Sequence, residues 1–484
     1  MTERRERMLK KRQRTKKIVL LILLLAVCVI SVFFACKSIL SDKPLPIVYQ
    51  KNNALMVQNN REKNPFIVSN SYNGGMNVLI EDGKALLFVD ANGALCYSKI
   101  KNAENAANTK ILADGIQQFV APDDKCVYYI RDEILYENNF KGEKEIAKGV
   151  TDYVATKDGR FLFFNTATDL FGLCIGKNEP TVRIAENVNV YNLLRDANDW
   201  SIDSENMYYI AAGKFAHLNE DLTETVLSKN AAIGFLLNDS VFAITRTQIG
   251  EEEYISALMM YGEETKQITT DIVGSEAVSQ QYTDKTYMLF TKASENTQEA
   301  ESYYTLDAEG NFRYLCENDN YQNLFANADG SKVYLQTENG VLLEYSLTKN
   351  AALKTDSEKR IAVNVQSAYP VKDHIGVSGE NQFGIYHNDR YEEIYNDGEP
   401  HYPKLLVENN KAYICDQAGT APFYICHDGK LSEIDNGVIT YSIVSDKRVA
   451  YLKTNESNGV TYDLYKVDGN KKPVLIDTDI TSLL

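Results

Sequence analysis

A turn followed by an apolar strand recurs through most of the chain, and this repeat constrains the fold more than any other feature. Each copy has a turn rich in Asp, Asn and Gly, followed by a short run of β-branched and aromatic residues. Such turns suit the positive φ angles of hairpins, and such runs suit pleated, half-buried strands. Weaker copies begin near residues 237 and 282, and the clear copies begin at the turns 81–84, 122–125, 157–160, 203–206, 328–331, 408–411 and 445–448.

The spacing of these repeats predicts an all-β fold built as a β-propeller. Successive turns are mostly about 35 to 47 residues apart, which is the length of a blade of several short strands. One such sheet cannot bury both faces alone, so neighbouring sheets must stack. About ten units can be marked, whereas single propellers usually have four to eight blades. We therefore favour one ring of seven or eight blades, with two smaller rings as the alternative, and expect residues 45–70 to supply a closing strand.

Several of the turns also resemble those of a known family. The matching segments are Pro122-Asp123-Asp124-Lys125, Asp158-Gly159-Arg160 and Asp329-Gly330-Ser331, and they resemble the Ser-Pro-Asp-Gly-Lys-like turn of the TolB-like, WD40-like repeat family. The resemblance covers most of residues 78–484. It implies a propeller with a binding or scaffolding role, and it supplies no catalytic residues.

Residues 18–36 predict a single membrane-spanning helix. The segment contains no charge, Pro or Gly, and as a helix it would be about 28 Å long, close to the thickness of the hydrocarbon layer. Residues 1–17 carry a net charge of +7, which leaves −23 on the rest of a chain whose total is −16. The positive-inside rule then predicts a single-pass protein of the bacterial cell membrane, with residues 1–17 in the cytoplasm.

The same rule places the rest of the chain outside the cell, as a stalk of residues 37–48 followed by a propeller domain of residues 49–484. Two kinds of processing are alternatives to a membrane-spanning helix at the apolar segment. A cleaved signal peptide usually has a shorter apolar region. Lipoprotein processing at Cys36 is the other alternative, and it would also leave the domain tethered outside.

The strongly acidic body and the absence of familiar motifs exclude several functional classes. An acidic surface repels phosphate groups, so we expect no nucleic-acid partner. The sequence has no HExxH, G-x-S-x-G, P-loop or G-x-G-x-x-G motif. We therefore assign no catalytic, cofactor-binding or metal-binding residues. His387, His401 and His427 lie close together in the sequence beside acidic residues. We interpret them as solvated loop histidines, and the alternative is a metal or acid–base cluster formed by adjacent blades.

Six cysteines follow the apolar segment, and most sit singly within strand patterns, as buried thiols do. Cys415 and Cys426 flank a turn and are the best candidates for a disulfide, which would require their side chains to share one face of the sheet.

These features favour a non-enzymatic module, anchored in the membrane, that binds a protein, a peptide or a cell-wall glycan. The first alternative is an extracytoplasmic hydrolase or lyase acting on glycan or peptide, with carboxylates of raised pKa in a deep channel. The second is a sensor that signals through the helix, and its short cytoplasmic tail would require a separate partner.

Overall fold

The structure is a computed structural model that describes residues 45–484 with internal gaps. These gaps are residues 61, 178, 196–200, 238–239, 250–253, 263, 271–287, 294–299, 318–320, 328–330, 348–352, 400, 409, 428–429, 456–460 and 470. The predicted tail and membrane helix lie outside the described residues, as does most of the predicted stalk. Among the helices of the described part, none has the length and apolar character needed to cross a membrane.

The described residues fold into antiparallel sheets, which we number in chain order. The strands of sheets 1 to 5 are as follows: sheet 1, Ile47–Lys51, Ala54–Gln58, Phe66–Ser69 and Ser482–Leu483; sheet 2, Asn77–Ile80, Ala85–Val89, Leu95–Lys99 and Lys110–Ala113; sheet 3, Phe119–Asp123, Cys126–Arg131, Ile134–Asn138 and Glu143–Lys148; sheet 4, Val150–Ala155, Phe161–Thr166, Asp169–Cys174 and Val182–Ala185; sheet 5, Tyr208–Ala211, Lys214–Leu218 and Glu224–Ser228.

Six further sheets complete the fold. Their strands are as follows: sheet 6, Ala231–Leu237, Ser240–Gln248, Tyr254–Tyr261 and Lys266–Thr270; sheet 7, Met288–Ala293, Ala300–Leu306 and Phe312–Glu317; sheet 8, Tyr321–Ala326, Lys332–Thr337, Leu342–Ser346 and Lys359–Ala362; sheet 9, Val365–Val371, His374–Gly379, Phe383–His387 and Arg390–Tyr395; sheet 10, Pro403–Glu408, Lys411–Asp416, Pro422–His427 and Lys430–Asn436; sheet 11, Val438–Ser445, Arg448–Thr454, Tyr462–Asp468 and Val474–Ile480.

Helix is rare in this part of the chain, which confirms the all-β prediction. Within the described residues it amounts to the α-helical turn Ala103–Ala106 and the 3-10 turns Val190–Asn192 and Thr355–Ser357. Each clear copy of the sequence repeat marks a buried strand of a different sheet. All five residues of Ala85–Val89 are buried, for example, because this central strand is covered on both faces.

The sheets pack face to face in a closed, propeller-like circuit. Each hydrophobic cluster joins one sheet to the next in chain order, as Leu86 and Phe88 of sheet 2 do with Leu55 and Val57 of sheet 1. The last cluster joins sheet 11 back to sheet 1. Within the described residues, every such cluster joins neighbours in this circuit, whereas two separate rings would each need a closing contact between distant sheets.

The number of sheets differs from the prediction of seven or eight blades. The described residues form eleven. The roughly ten repeats marked in the sequence were therefore closer to the number of sheets than the usual blade counts were. Most sheets have one clear repeat, and sheet 9 has a short turn at Lys372 and Asp373 that the repeat pattern missed.

Sheet 1 closes the circuit with strands from both ends of the described chain. The Ser482–Leu483 strand pairs with Ile47–Lys51, placing Leu483 opposite Tyr49. Lys51 and the Tyr49 hydroxyl both contact the carboxylate of Asp477 in the last strand of sheet 11. This confirms the prediction that residues 45–70 contribute a closing strand, and the first described strand begins at Ile47, within the predicted stalk.

Candidate binding groove

A cavity of about 370 Å³ opens between sheets 8 and 9, and we call it the groove. On the side of sheet 8 it is lined by Lys332 and Tyr334, and on the side of sheet 9 by the ends of two hairpins. The first hairpin turns at Lys372 and Asp373, and the second at Asn388 and Asp389. Antiparallel strands alternate in direction, so these two turns lie at the same end of sheet 9.

The register of sheet 9 brings two histidines together at this end. Ile375 is opposite Tyr386 in the antiparallel pair, which places His374 opposite His387 one position further along. Their rings stack with centroids 3.8 Å apart and planes 4° apart. The His374 side chain is 2% exposed and that of His387 is 12% exposed, so the second ring has more access to the groove.

The carboxylate of Asp373 lies beside both imidazoles. The Nδ1 atom of His374 is 2.8 Å from Asp373 Oδ1, and that of His387 is 3.6 Å from Asp373 Oδ2. One potential ligand atom from each residue lies within 4.8 Å of the others. Burial and the neighbouring His387 both lower the pKa of His374, which favours a neutral imidazole with a lone pair.

Neighbouring backbone and amide groups orient the more accessible ring. His387 Nδ1 lies 3.0 Å from the backbone oxygen of Asp373, and its Nε2 lies 2.7 Å from Asn388 Nδ2. These contacts suit a tautomer that donates from Nδ1 to the carbonyl and accepts at Nε2 from the amide.

A network of ion pairs that joins sheets 8 and 9 forms a charged wall of the groove. Lys332 forms ion pairs with Glu344, at 3.2 Å, and with Asp389. The Tyr386 hydroxyl lies 2.6 Å from Glu344 and accepts a 3.0 Å hydrogen bond from Lys359. The hydrogen bond from Lys332 lowers the pKa of Asp389, whereas burial and then Glu344 raise the pKa of Tyr386. This wall is therefore charged but internally neutralised.

The histidines that the sequence grouped together lie in different surroundings. His401 lies just before the first strand of sheet 10 and forms a separate cluster there, with Asp397 at 2.8 Å and Asp416 at 3.5 Å. His427 lies at the end of the Pro422–His427 strand. The interpretation of His387 and His401 as solvated loop histidines is wrong, because both side chains are largely buried against carboxylates. His374, the partner of His387, was not predicted as a site residue. Pairing the strand His374–Gly379 with the strand Phe383–His387 in a hairpin would have identified it.

The predicted disulfide between Cys415 and Cys426 is not formed. Cys426 is paired across the sheet with Ala412, three positions away from Cys415. Cys415 packs in the cluster between sheets 10 and 11, whereas Cys426 packs in the cluster between sheets 9 and 10. The two sulfur atoms therefore lie on opposite faces of sheet 10, and a disulfide requires one shared face.

Comparisons with known proteins assign no family to the chain. No protein-family model matches the sequence, and no curated protein matches it. A eukaryotic initiation factor is similar over 80% of this chain and 94% of its own, at 9% identity and a TM-score of 0.38. Porphyromonas gingivalis dipeptidyl peptidase 4 is similar over 79% of this chain and 64% of its own, at 12% identity and a TM-score of 0.35. The tricorn protease is similar over 91% of this chain and 59% of its own, at 9% identity and a TM-score of 0.26.

Proposed function

We propose that this protein is a non-enzymatic binding or scaffolding module, held outside the cell by residues 18–36, and that the groove between sheets 8 and 9 is its ligand site. A protein, a peptide or a cell-wall glycan would be its ligand. We also propose that the fold is a β-propeller related to the TolB-like family. It is supported by the closed circuit of three- and four-stranded antiparallel sheets and by the recurring turns.

The state of the carboxylates is the observation that carries a binding role. A glycan-cleaving site needs a carboxylic acid whose pKa is raised so that it can donate a proton. Nine carboxylates in the described part of the chain have a pKa that departs from its ordinary value, and each is lowered. Asp389 in the groove is one of them, through its hydrogen bond from Lys332. Each of these nine carboxylates is held in its ionised form by donors within the protein, so none of them fits the role of the proton-donating acid.

The position of Leu45 and Pro46, which follow the predicted membrane helix and are the first described residues, supports a groove that faces the membrane. Leu45 donates a backbone hydrogen bond to Val444 at the end of the first strand of sheet 11, and Pro46 packs against Gly83 after the first strand of sheet 2. The turn at Lys372 and Asp373 follows the first strand of sheet 9 and so lies at this same end of the circuit. Residues 37–44 could span at most about 27 Å when fully extended. A ligand in the groove would then lie near the lipid surface.

Photo-crosslinking in intact cells tests the ligand site. A photoreactive residue replaces Asn388 at the groove in one strain and Glu380 at the other end of sheet 9 in the control strain, and both positions are exposed. We expect a discrete adduct from position 388 that is absent from position 380. The proposal fails if position 388 gives no adduct or if both positions give the same products.

The anchor is tested separately with an epitope at the carboxyl terminus. We expect antibody or added protease to reach the epitope in intact cells, and the protein to stay with the membrane after a carbonate wash. An epitope that is reached only after lysis would contradict the proposed orientation.

The alternative of an extracytoplasmic enzyme is favoured by the contact between Asp373 and His374, because a carboxylate can orient an imidazole that acts as a base. Under this alternative, purified protein would release soluble fragments from isolated cell wall or peptide, and His374→Gln would abolish the release. Binding without turnover by both proteins would favour the binding module.

A further inference from the structure

We propose that Asp373, His374 and His387 form a Zn²⁺ site whose open coordination position faces the groove. This inference goes beyond the proposed function, because the groove could bind its ligand whether or not it holds a metal ion. It concerns a property of the chain itself, which is measured with the metal alone.

The three side chains already converge on one point. Both Nδ1 atoms lie near oxygen atoms of the Asp373 carboxylate: that of His374 is 2.8 Å from Oδ1, and that of His387 is 3.6 Å from Oδ2. A metal ion that replaces the protons of these contacts would be held by two nitrogens and one oxygen. Zinc binds such atoms at about 2.0–2.2 Å, so tetrahedral ligand atoms lie roughly 3.4 Å apart. The ligand atoms now lie within 4.8 Å of one another, and a contraction on the order of 1 Å would complete the site.

One ring must turn for the metal ion to bind. A metal ion lies in the plane of each imidazole that holds it, and the two rings are now parallel, 4° apart. His374 is fixed by burial, whereas the His387 side chain is 12% exposed beside a cavity of about 370 Å³. We therefore assign the movement to His387, whose Nδ1 would exchange the backbone oxygen of Asp373 for the metal ion.

The ligand set selects the metal. Two imidazoles and one carboxylate suit zinc and similar transition metals, whereas Ca²⁺ and Mg²⁺ prefer shells of oxygen atoms. Three protein ligands leave a fourth position for water or for an oxygen atom of a bound molecule. Two cations line the same cavity, and neither lacks an anion: Lys332 pairs with Glu344 and Asp389, and Lys372 pairs with Glu408.

Zinc titration of the full chain in detergent, against a chromophoric chelator, tests the proposal. We expect one Zn²⁺ per chain at neutral pH, no competition from Ca²⁺ or Mg²⁺, and weaker binding in acid, because protons compete with the metal ion for the same ligand atoms. His387→Ala should weaken binding at least about tenfold, and His387→Cys should restore it, because a thiolate is also a zinc ligand.

The matched control is His217→Ala. His217 packs against Tyr208 on sheet 5, away from the groove, and its loss should leave zinc affinity unchanged. Co²⁺ gives a second readout, because a tetrahedral N,O site produces intense visible bands that should vanish in His387→Ala. Circular dichroism would establish that each variant is folded. The proposal is overturned if the wild type binds no zinc, if folded His387→Ala binds it as tightly as the wild type, or if His217→Ala weakens it equally.

Discussion

Two histidine–carboxylate clusters lie on neighbouring sheets and differ in how fully their polar atoms are satisfied. On sheet 10, the His401 ring lies between Asp397 and Asp416 and packs on Tyr395, with ring centroids 4.6 Å apart. Asp416 is completely buried and accepts hydrogen bonds from the backbone of Tyr402 and from the hydroxyl of Thr420. On sheet 9, Asp373 is 45% exposed and lies at the rim of a cavity.

This difference distinguishes a cluster that stabilises a loop from a cluster that could bind a ligand. Burial alone would raise the pKa of Asp416, but hydrogen bonds from Thr420 and Tyr402 outweigh it and hold the pKa below its ordinary value. That carboxylate is committed to fixing the loop before the Pro403–Glu408 strand. Asp373 has accessible oxygen atoms and two neighbouring imidazoles, so its contacts can be exchanged for a ligand. The same residue types therefore differ between the two clusters in burial and in their hydrogen-bond partners.

The largest expected effect is the loss of stability when Asp416 is removed from the cluster on sheet 10. Asp416→Ala removes the acceptor of several buried donors, which should lower the free energy of unfolding by about 3 kcal/mol. Asp373→Ala is the matched variant in the exposed cluster, and it should cost less than about 1 kcal/mol. Urea unfolding of both variants measures the difference. Equal losses would show that the two clusters do not differ as described.

The charged wall of the groove should give the next largest effect. Glu344 is 5% exposed and forms an ion pair with Lys332. Lys332→Met leaves this buried carboxylate without its cation, so we expect the free energy of unfolding to fall by about 2 kcal/mol. Adding Glu344→Gln should recover part of that loss, because the uncompensated charge is removed as well. Urea unfolding of the single and double variants gives the coupling. Additive losses would mean that the ion pair contributes little.

The pH dependence of stability should reveal the buried ring of the sheet 9 cluster. The pKa of His374 is lowered by burial and then by His387, so below about pH 6.5 the unfolded chain binds a proton that the folded chain resists. Above the pKa of the unfolded state, His374 costs no stability. As the pH falls below that value, the free energy of unfolding decreases, by at most about 1.4 kcal/mol per pH unit. His374→Gln should flatten the curve between about pH 7 and pH 5.

The comparison for this measurement is His217→Gln. The pKa of His217 is also lowered by burial, so its loss should remove a different part of the same slope. A His374→Gln protein with the pH dependence of the wild type would contradict the assignment of a neutral, buried imidazole. Metal-free buffer is required, because a bound ion would shift the same titration.

The sequence predicted the strands well because their signal is local. Alternating β-branched and aromatic residues after a hairpin turn identify a strand such as Phe161–Thr166 without knowledge of its neighbours. The number of sheets follows instead from the number of repeats, and the sequence pattern marked no repeat for sheets 1 and 9. The usual range of blade counts was therefore a poor guide to the circuit of sheets observed here.

The candidate site was predicted less well because it depends on contacts between strands. His374 and His387 are thirteen positions apart in the sequence and become neighbours only through the register of one hairpin. Nearness in sequence instead grouped His387 with His401, which lies in the cluster on sheet 10. The disulfide prediction failed for the same reason, since the faces of Cys415 and Cys426 are set by a register that spacing alone does not give.

The smallest expected effect lies between the two clusters, at the ion pair of Lys372 and Glu408. The atoms are 3.0 Å apart and the side chains are 58% and 44% exposed, so Glu408→Gln should change stability by less than about 0.5 kcal/mol. It would, however, leave the charge of Lys372 uncompensated beside Asp373. We expect zinc affinity to fall about twofold at low salt and to recover as salt screens that charge. The chelator competition, repeated at two ionic strengths, measures this, and a loss that persists at high salt would mean that Glu408 acts on the fold of the turn.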